Sequence, residues 1–205
     1  MIKNLIFDIG NVLVRFHPEE ELVRYTGSMQ EAEALRDLIW LSKPWKDADR
    51  GLTDREGTVS LLTAMYPDKA DMLVKILHEC SDWLVMPDGT EVLLEDLAAA
   101  GYNLYILSNT NPGDFDSMTR RYPVLSRMPG IVSFREGVLK PEPAIFQLLL
   151  SRCGLDPGEC LFVDDMPVNT AAASAEGLHT LCLTGGAETL REALLTHPLL
   201  HFKTP

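Results

Sequence analysis

The sequence predicts an α/β fold: an open parallel sheet with helices on both faces, interrupted by a block of helices after the first strand. Three observations carry that reading. From Pro87 onward, short apolar runs alternate with segments of helical spacing. From about Arg15 to Met86 there is helical patterning and no convincing strand. Reactive polar groups stand just after several strands, where an open sheet holds its ligands.

Taken in order, the opening Lys3-Asn4-Leu5-Ile6-Phe7-Asp8-Ile9-Gly10-Asn11-Val12-Leu13-Val14 reads as a buried strand over Leu5–Phe7 that ends on Asp8 and a Gly-Asn turn. Helices are expected over Pro18–Tyr25, Met29–Leu41, Thr53–Met65 and Lys69–Trp83. The third opens with Thr53-Asp54-Arg55-Glu56, the pattern of a capping box. Helix Gly89–Ala100, strand Asn103–Leu107, helix Pro112–Tyr122 and strand Ile131–Phe134 come next. Helix Pro143–Cys153, strand Cys160–Val163, helix Pro167–Glu176, strand His179–Leu183 and helix Ala187–Leu195 complete the alternation. Right-handed crossovers between such strands place helices on both faces of a parallel sheet. The expected organisation is a core of residues 1–14 and 87–205 interrupted by a helical domain of residues 15–86. The tail from Leu199 to Pro205 is expected to be poorly fixed.

A chain of 205 residues with 46% hydrophobic content can bury one good-sized core, or a core and a smaller insertion. The 18 basic and 30 acidic residues leave a net charge of −12, a surface that repels nucleic acid and anionic membranes. Any anionic ligand must then be held by local groups. Cys80, Cys153, Cys160 and Cys182 lie in apolar contexts at spacings that match no zinc pattern, and read as reduced core residues of a cytoplasmic protein. No leader-like segment and no run of membrane-spanning length occurs, so neither secretion nor membrane insertion is expected.

Four stretches carry candidate chemistry. Asp8 ends the first strand; alone it is equally a solvated loop aspartate. Ser108-Asn109-Thr110-Asn111 follows the second strand and leads into a helix, either as a plain cap and turn or as an anion site of backbone N–H groups and a hydroxyl. Lys140, between Leu139 and Pro141 at a helix entry, is either a surface lysine or a point charge for phosphate oxygens. Asp164-Asp165 ends the fourth strand, with Asn169 one turn into the next helix. The helix dipole explains one of these carboxylates better than two, whereas a cation such as Mg²⁺ would compensate both.

In chain order, Phe-Asp-Ile-Gly-Asn-Val-Leu at residues 7–13, Leu-Ser-Asn-Thr at 107–110, Lys140 before a helix and Asp164-Asp165 resemble the haloacid dehalogenase superfamily. Within it, the chain is similar to the phosphatase branch with a small helical cap, and to the group typified by α-glucose-1-phosphate phosphatase, over about residues 3 to 185. The resemblance implies a Rossmann-like core and hydrolysis of a small phosphorylated metabolite, a sugar phosphate for preference, through an aspartyl-phosphate. Asp8 would be the nucleophile and Ser108, Asn109 and Lys140 would hold the phosphoryl group. Mg²⁺ would sit among Asp8, the Gly10 carbonyl, Asp164 and Asp165, with Asp165 the direct ligand and Asp164 acting through water or by orienting Lys140.

One departure stands out. The family's usual second aspartate, which protonates the leaving oxygen and later activates water, would fall at position 10, where this chain has glycine. Its loss should slow hydrolysis of poor leaving groups unless Arg15, His17 or a cap residue substitutes. Trp40, Trp45, Asp49 and Arg50 are cap residues that could face the pocket, while His78 and Glu79 read as surface residues. The alternatives are a metal-independent haloacid dehalogenase, a non-catalytic phosphoryl-binding or regulatory protein, and, more weakly, a phosphomutase. A small phosphorylated metabolite is the expected partner, with no nucleic acid and no membrane, and the chain is expected to be a monomer or weak homodimer.

Overall fold

The computed structural model describes residues 1–201. Five strands, β1 (Asn4–Phe7), β2 (Asn103–Ser108), β3 (Gly130–Val132), β4 (Cys160–Asp164) and β5 (His179–Cys182), form one parallel sheet in the order β3-β2-β1-β4-β5. β1 is central, and Leu5, Ile6 and Phe7 are wholly enclosed, as the continuous apolar run of a strand covered on both faces requires. Phe7 lies opposite Ile106 of β2 and Val163 of β4. The next residues, Asp8 and Asp164, therefore emerge level at the carboxyl edge, with Ser108 two residues beyond Ile106. From β1 the chain moves outward to β2 and β3 and then crosses back to β4 and β5. The order thus reverses between β1 and β4, the crevice where open sheets bind ligands.

The helices are α1 (Pro18–Thr26), α2 (Met29–Trp40), α3 (Lys43–Asp49), α4 (Arg55–Met65), α5 (Ala70–Glu79), α6 (Thr90–Ala99), α7 (Pro112–Arg121), α8 (Pro123–Arg127), α9 (Ser133–Glu136), α10 (Pro143–Cys153), α11 (Pro167–Ala175) and α12 (Leu190–Leu195). Strand alternation sends Leu5, Phe7, Leu161 and Val163 to one face, against leucines of α6 and α12 and Met118 of α7. Ile6, Leu107 and Phe162 face the other side and meet Ile145, Phe146 and Leu149 of α10. Helices α1 to α5 gather around a separate apolar cluster containing Leu22, Ile39, Leu62, Leu73 and Ile76. The two junctions of this block run side by side, because Arg15 and Val85 exchange backbone hydrogen bonds of 2.7 and 3.2 Å.

Some boundaries differ from expectation. Three short helices, α3, α8 and α9, were not foreseen; α3 starts where the Ser42 hydroxyl accepts from Trp45 N. The third predicted strand stops at Val132, and Ser133 turns instead into α9. The cap of α4 is Asp54, accepting from Gly57 N at 2.8 Å, one residue after the Thr53 of the predicted box. Cys80–Trp83 and Ala187–Thr189 are 3₁₀ turns rather than α-helix. Leu200 is buried, so the tail is anchored at least to that residue, and 202–205 lie outside the described residues. None of the described cysteines forms a disulfide, and no described helix is long and apolar enough to cross a membrane.

The helical block meets the sheet domain along Asp49–Gly51. Ser133 Oγ donates to the Asp49 carbonyl at 2.6 Å, and Arg50 reaches the Gly137 carbonyl at 2.9 Å and the Glu142 carboxylate. Gly51 has φ +76° and lies so close that a Cβ would fall 2.1 Å from the Phe134 carbonyl oxygen. Gly51→Ala therefore has to move backbone as well as adopt a left-handed conformation. It is expected to destabilise the protein by about 2 kcal/mol or more, lowering the thermal midpoint by roughly 4–8 °C. An unchanged midpoint would show that this seam is loose.

Candidate active site

The site begins where β1 ends. Asp8 extends the ladder by donating its N–H to the Val163 carbonyl at 2.9 Å, and its own Oδ1 accepts from Ile9 N at 2.7 Å. Asn11 then takes φ +53°, a left-handed conformation that asparagine tolerates better than most residues. Its Oδ1 accepts from Phe16 N at 2.9 Å and its Nδ2 donates to Asp165 Oδ2 at 3.3 Å. The Gly-Asn turn thus both reverses the chain and touches the acidic pair across the switch point, a role its sequence position alone did not reveal.

Lys140 ties the two strand ends together. Its Nζ lies 2.9 Å from Asp8 Oδ1 and 2.6 Å from Asp164 Oδ2, and its side chain is almost wholly enclosed. Asn109 holds the Lys140 peptide from both sides, accepting from its N–H at 2.8 Å and donating to its carbonyl at 2.9 Å. Asn109 was expected to hold phosphate; with its side-chain amide engaged on the Lys140 peptide, its main-chain N–H and the second amide hydrogen are what it can offer a phosphoryl oxygen. Ser108, buried at the end of β2, lines the same cavity as Asn109.

Asp164 is fully buried and saturated with donors: Met166 N at 2.9 Å and Asn169 Nδ2 at 3.0 Å on Oδ1, with Lys140 on Oδ2. A carboxylate held this way orients Lys140 and would meet a metal through water. Asp165 has the Asn11 contact on one oxygen and is only half-buried, which leaves it better placed for direct ligation.

Burial pushes the Asp8 carboxyl up to about 7, with Asp164 and Asp165 adding and Lys140 opposing. Burial likewise raises Asp165, with Asp164 adding to it. For Lys140 burial works against the charge, but Asp8 and Asp164 outweigh it and the ammonium is held more firmly protonated than usual. Once all three carboxylates are ionised, one ammonium leaves an excess of two negative charges, which a divalent cation would neutralise.

Mg²⁺ fits this donor set. One oxygen each of Asp8, Asp164 and Asp165 lies within 4.8 Å of the others. An octahedral ion with Mg–O distances of about 2.1 Å spans its ligand oxygens over about 3 to 4.2 Å. All-oxygen ligands suit a hard cation rather than zinc.

Ile9 and Gly10, which follow Asp8 in the chain, line a cavity of about 180 Å³. Gly10, Ser108, Asn109 and Thr110 line it from the sheet domain, and Phe16, Trp40, Trp45 and Asp49 from the helical block. Three of the four residues expected to face a pocket, Trp40, Trp45 and Asp49, do so. Arg50 does not, because it is bound to Gly137 and Glu142. Arg15 and His17 were offered as substitutes for the missing acid/base, yet they turn to the surface, Arg15 toward Glu20 and Glu188 and His17 toward Glu19. Phe16 between them points inward instead. His78 and Glu79 are exposed and paired with Glu56 and with Arg24 and Tyr25.

The profile of the haloacid dehalogenase-like hydrolase family matches residues 2–177. The chain is similar to a D-ribitol-5-phosphate phosphatase of Bacteroides thetaiotaomicron, 23% identical over 94% of this chain and 97% of that one. It is also similar to (S)-2-haloacid dehalogenase 4A of Burkholderia cepacia, 28% identical over 63% of this chain and 56% of that one. Among solved structures, an enzyme from Bacteroides thetaiotaomicron crystallised with magnesium and inorganic phosphate shares the fold, with a TM-score of 0.70 and 24% identity over 88% of this chain and 93% of that one.

Proposed function

The chain belongs to the haloacid dehalogenase-like hydrolase family, and from that premise we propose that it is a Mg²⁺-dependent phosphatase of a small phosphorylated metabolite, a sugar phosphate for preference. The carrying observation is Lys140, buried between Asp8 and Asp164 with Asp165 beside them. Residues 15–86 act as a cap over a core of residues 1–14 and 87–205. In this reading Asp8 attacks phosphorus and becomes the aspartyl-phosphate. Ser108, Lys140 and the main-chain N–H of Asn109 hold the phosphoryl oxygens, and Lys140 offsets charge building there. Asp8, Asp165 and the Gly10 carbonyl would hold Mg²⁺, with Asp164 behind them, and the ion would supply the remaining positive charge. Phosphoryl transfer asks chiefly for positioning and neutralisation, and these residues provide both.

A cavity of about 180 Å³ is below the roughly 300–1,000 Å³ typical of ligand pockets, which favours a compact leaving group. The test is hydrolysis of sugar phosphates, nucleotides and acyl phosphates with and without metal. Turnover of p-nitrophenyl phosphate should fall to background in EDTA and return with Mg²⁺; activity indifferent to EDTA would refute the proposal. The dehalogenase relative gives a second reading, in which Asp8 attacks carbon without a metal. The excess of carboxylates beside Asp8 weighs against it, and metal-free release of chloride from 2-chloropropionate would reverse the order.

A further inference from the structure

We propose that Asp49 is the general acid/base of this site, standing in from the cap for the carboxylate that position 10 lacks. The inference rests on the phosphatase reading above. Asp49 ends α3, is half-buried, and lines the same cavity as Gly10 and Ser108. Its backbone is fixed to the core, since its carbonyl accepts from Ser133 Oγ at 2.6 Å and the next two residues dock on Gly137, Glu142 and Phe134. The polar side chains of Asn111 and Trp45 face its carboxyl. A cap carboxyl held by core contacts keeps the fixed placement that proton transfer needs. Trp40 also lines the cavity, and its buried Nε1 has no hydrogen-bond partner among the described residues.

The charged groups around Asp49 are Asp8 at the end of β1 and Asp114 on α7. Arg55 of α4 is paired with Asp114 at 2.6 Å, Lys140 with Asp8, and neighbouring Arg50 with Glu142. Burial pushes the Asp49 carboxyl up to about 8; Asp114 and Asp8 add to this, while Asn111 and Trp45 oppose it. At neutral pH it is therefore protonated, the form an acid requires.

In the first step an Asp8 oxygen bonds to phosphorus, the bond from phosphorus to the leaving oxygen breaks, and the Asp49 proton passes to that oxygen to give the free alcohol. In the second step water attacks phosphorus while the Asp49 carboxylate takes its proton. The bond to Asp8 breaks, releasing phosphate and restoring both side chains.

The test compares Asp49→Asn with wild type on phenyl phosphate, a poor leaving group, and p-nitrophenyl phosphate, a good one. Because kcat/KM reports the steps up to loss of the leaving group, it should fall about 10²-fold more for phenyl phosphate. With p-nitrophenyl phosphate the variant should release a burst of one nitrophenol per site and then slow, since hydrolysis of the aspartyl-phosphate has lost its base. The wild-type kcat/KM for phenyl phosphate should decline above about pH 8, and that limb should vanish in the variant. A Cβ at Gly10 meets nothing within 4 Å, so Gly10→Asp added to Asp49→Asn should recover at least about tenfold on phenyl phosphate. Equal losses on both esters, no loss, or no recovery in the double variant would overturn the role of Asp49. Wild-type protein inert toward both esters with Mg²⁺ would overturn the phosphatase reading itself.

Discussion

Asp8→Asn is expected to cut turnover of phosphate esters by at least about 10³-fold while leaving the protein as stable as wild type or slightly more so. The loss follows because an amide cannot take the nucleophile's place. The stability follows from the sign of the Asp8 shift. Its pKa in the folded protein is about 7 against 3.8 unfolded, so between those values the native state holds the extra proton and stability falls as pH rises. Above about pH 7 wild-type protein without metal carries a buried charge that the variant lacks, and Lys140 keeps Asp164 at 2.6 Å as its partner in either case. Thermal midpoints of the metal-free proteins at pH 5.5 and 8.5 should therefore shift in favour of the variant at the higher pH. Persistent activity would remove Asp8 from the nucleophile's role, and a variant clearly less stable than wild type at pH 8.5 would show that the Lys140 pairing outweighs burial.

The parts of the site legible in the sequence are those that backbone topology alone delivers. Asp8, Ser108 and Asp164 stand at the carboxyl ends of buried parallel strands, and apolar runs identify such strands, so their gathering at one sheet edge could be anticipated. What stayed hidden depends on tertiary neighbours. Asn109 and Asn169 carry amides that suit either ligand or scaffold, and only the positions of Lys140 and Asp164 decide for scaffold. Asp49 was one of several polar residues in a stretch read as a connection. It became a distinctive carboxyl only once α3, held by Ser42 at its start and Ser133 at its end, packed it beside Asp114 and Asp8. Arg15 and His17 failed for the matching reason: the chain leaving β1 pairs with Val85, and Phe16 is the residue that faces the cavity. The short helices α8 and α9 likewise leave no periodic signal because each is only a turn or so long.

Lys140→Met is expected to be the most damaging single change to the fold. Lys140 is the only ammonium or guanidinium paired to Asp8 or Asp164 among the described residues, and both partners are buried. Removing one member of such a set strands the others, at a typical cost of about 3–5 kcal/mol, or roughly 6–20 °C in thermal midpoint for a protein of this size. The loss should be greatest at high pH and shrink as pH falls toward 7, because without Lys140, which holds the Asp8 carboxyl down, Asp8 takes up its proton above its wild-type value of about 7. Mg²⁺ should recover more stability in the variant than in wild type, because a ligand that binds only the folded state stabilises it and here neutralises the charges Lys140 no longer meets. Turnover should stay at least about 10²-fold down even at saturating Mg²⁺, since a divalent ion does not replace the donor that contacts the phosphoryl oxygens. Melting curves at pH 6 and 8.5, with and without Mg²⁺, separate these effects. A metal-free midpoint within about 2 °C of wild type at pH 8.5 would mean that the acidic groups are held apart by something other than Lys140, and the electrostatic account of the site would fall with it.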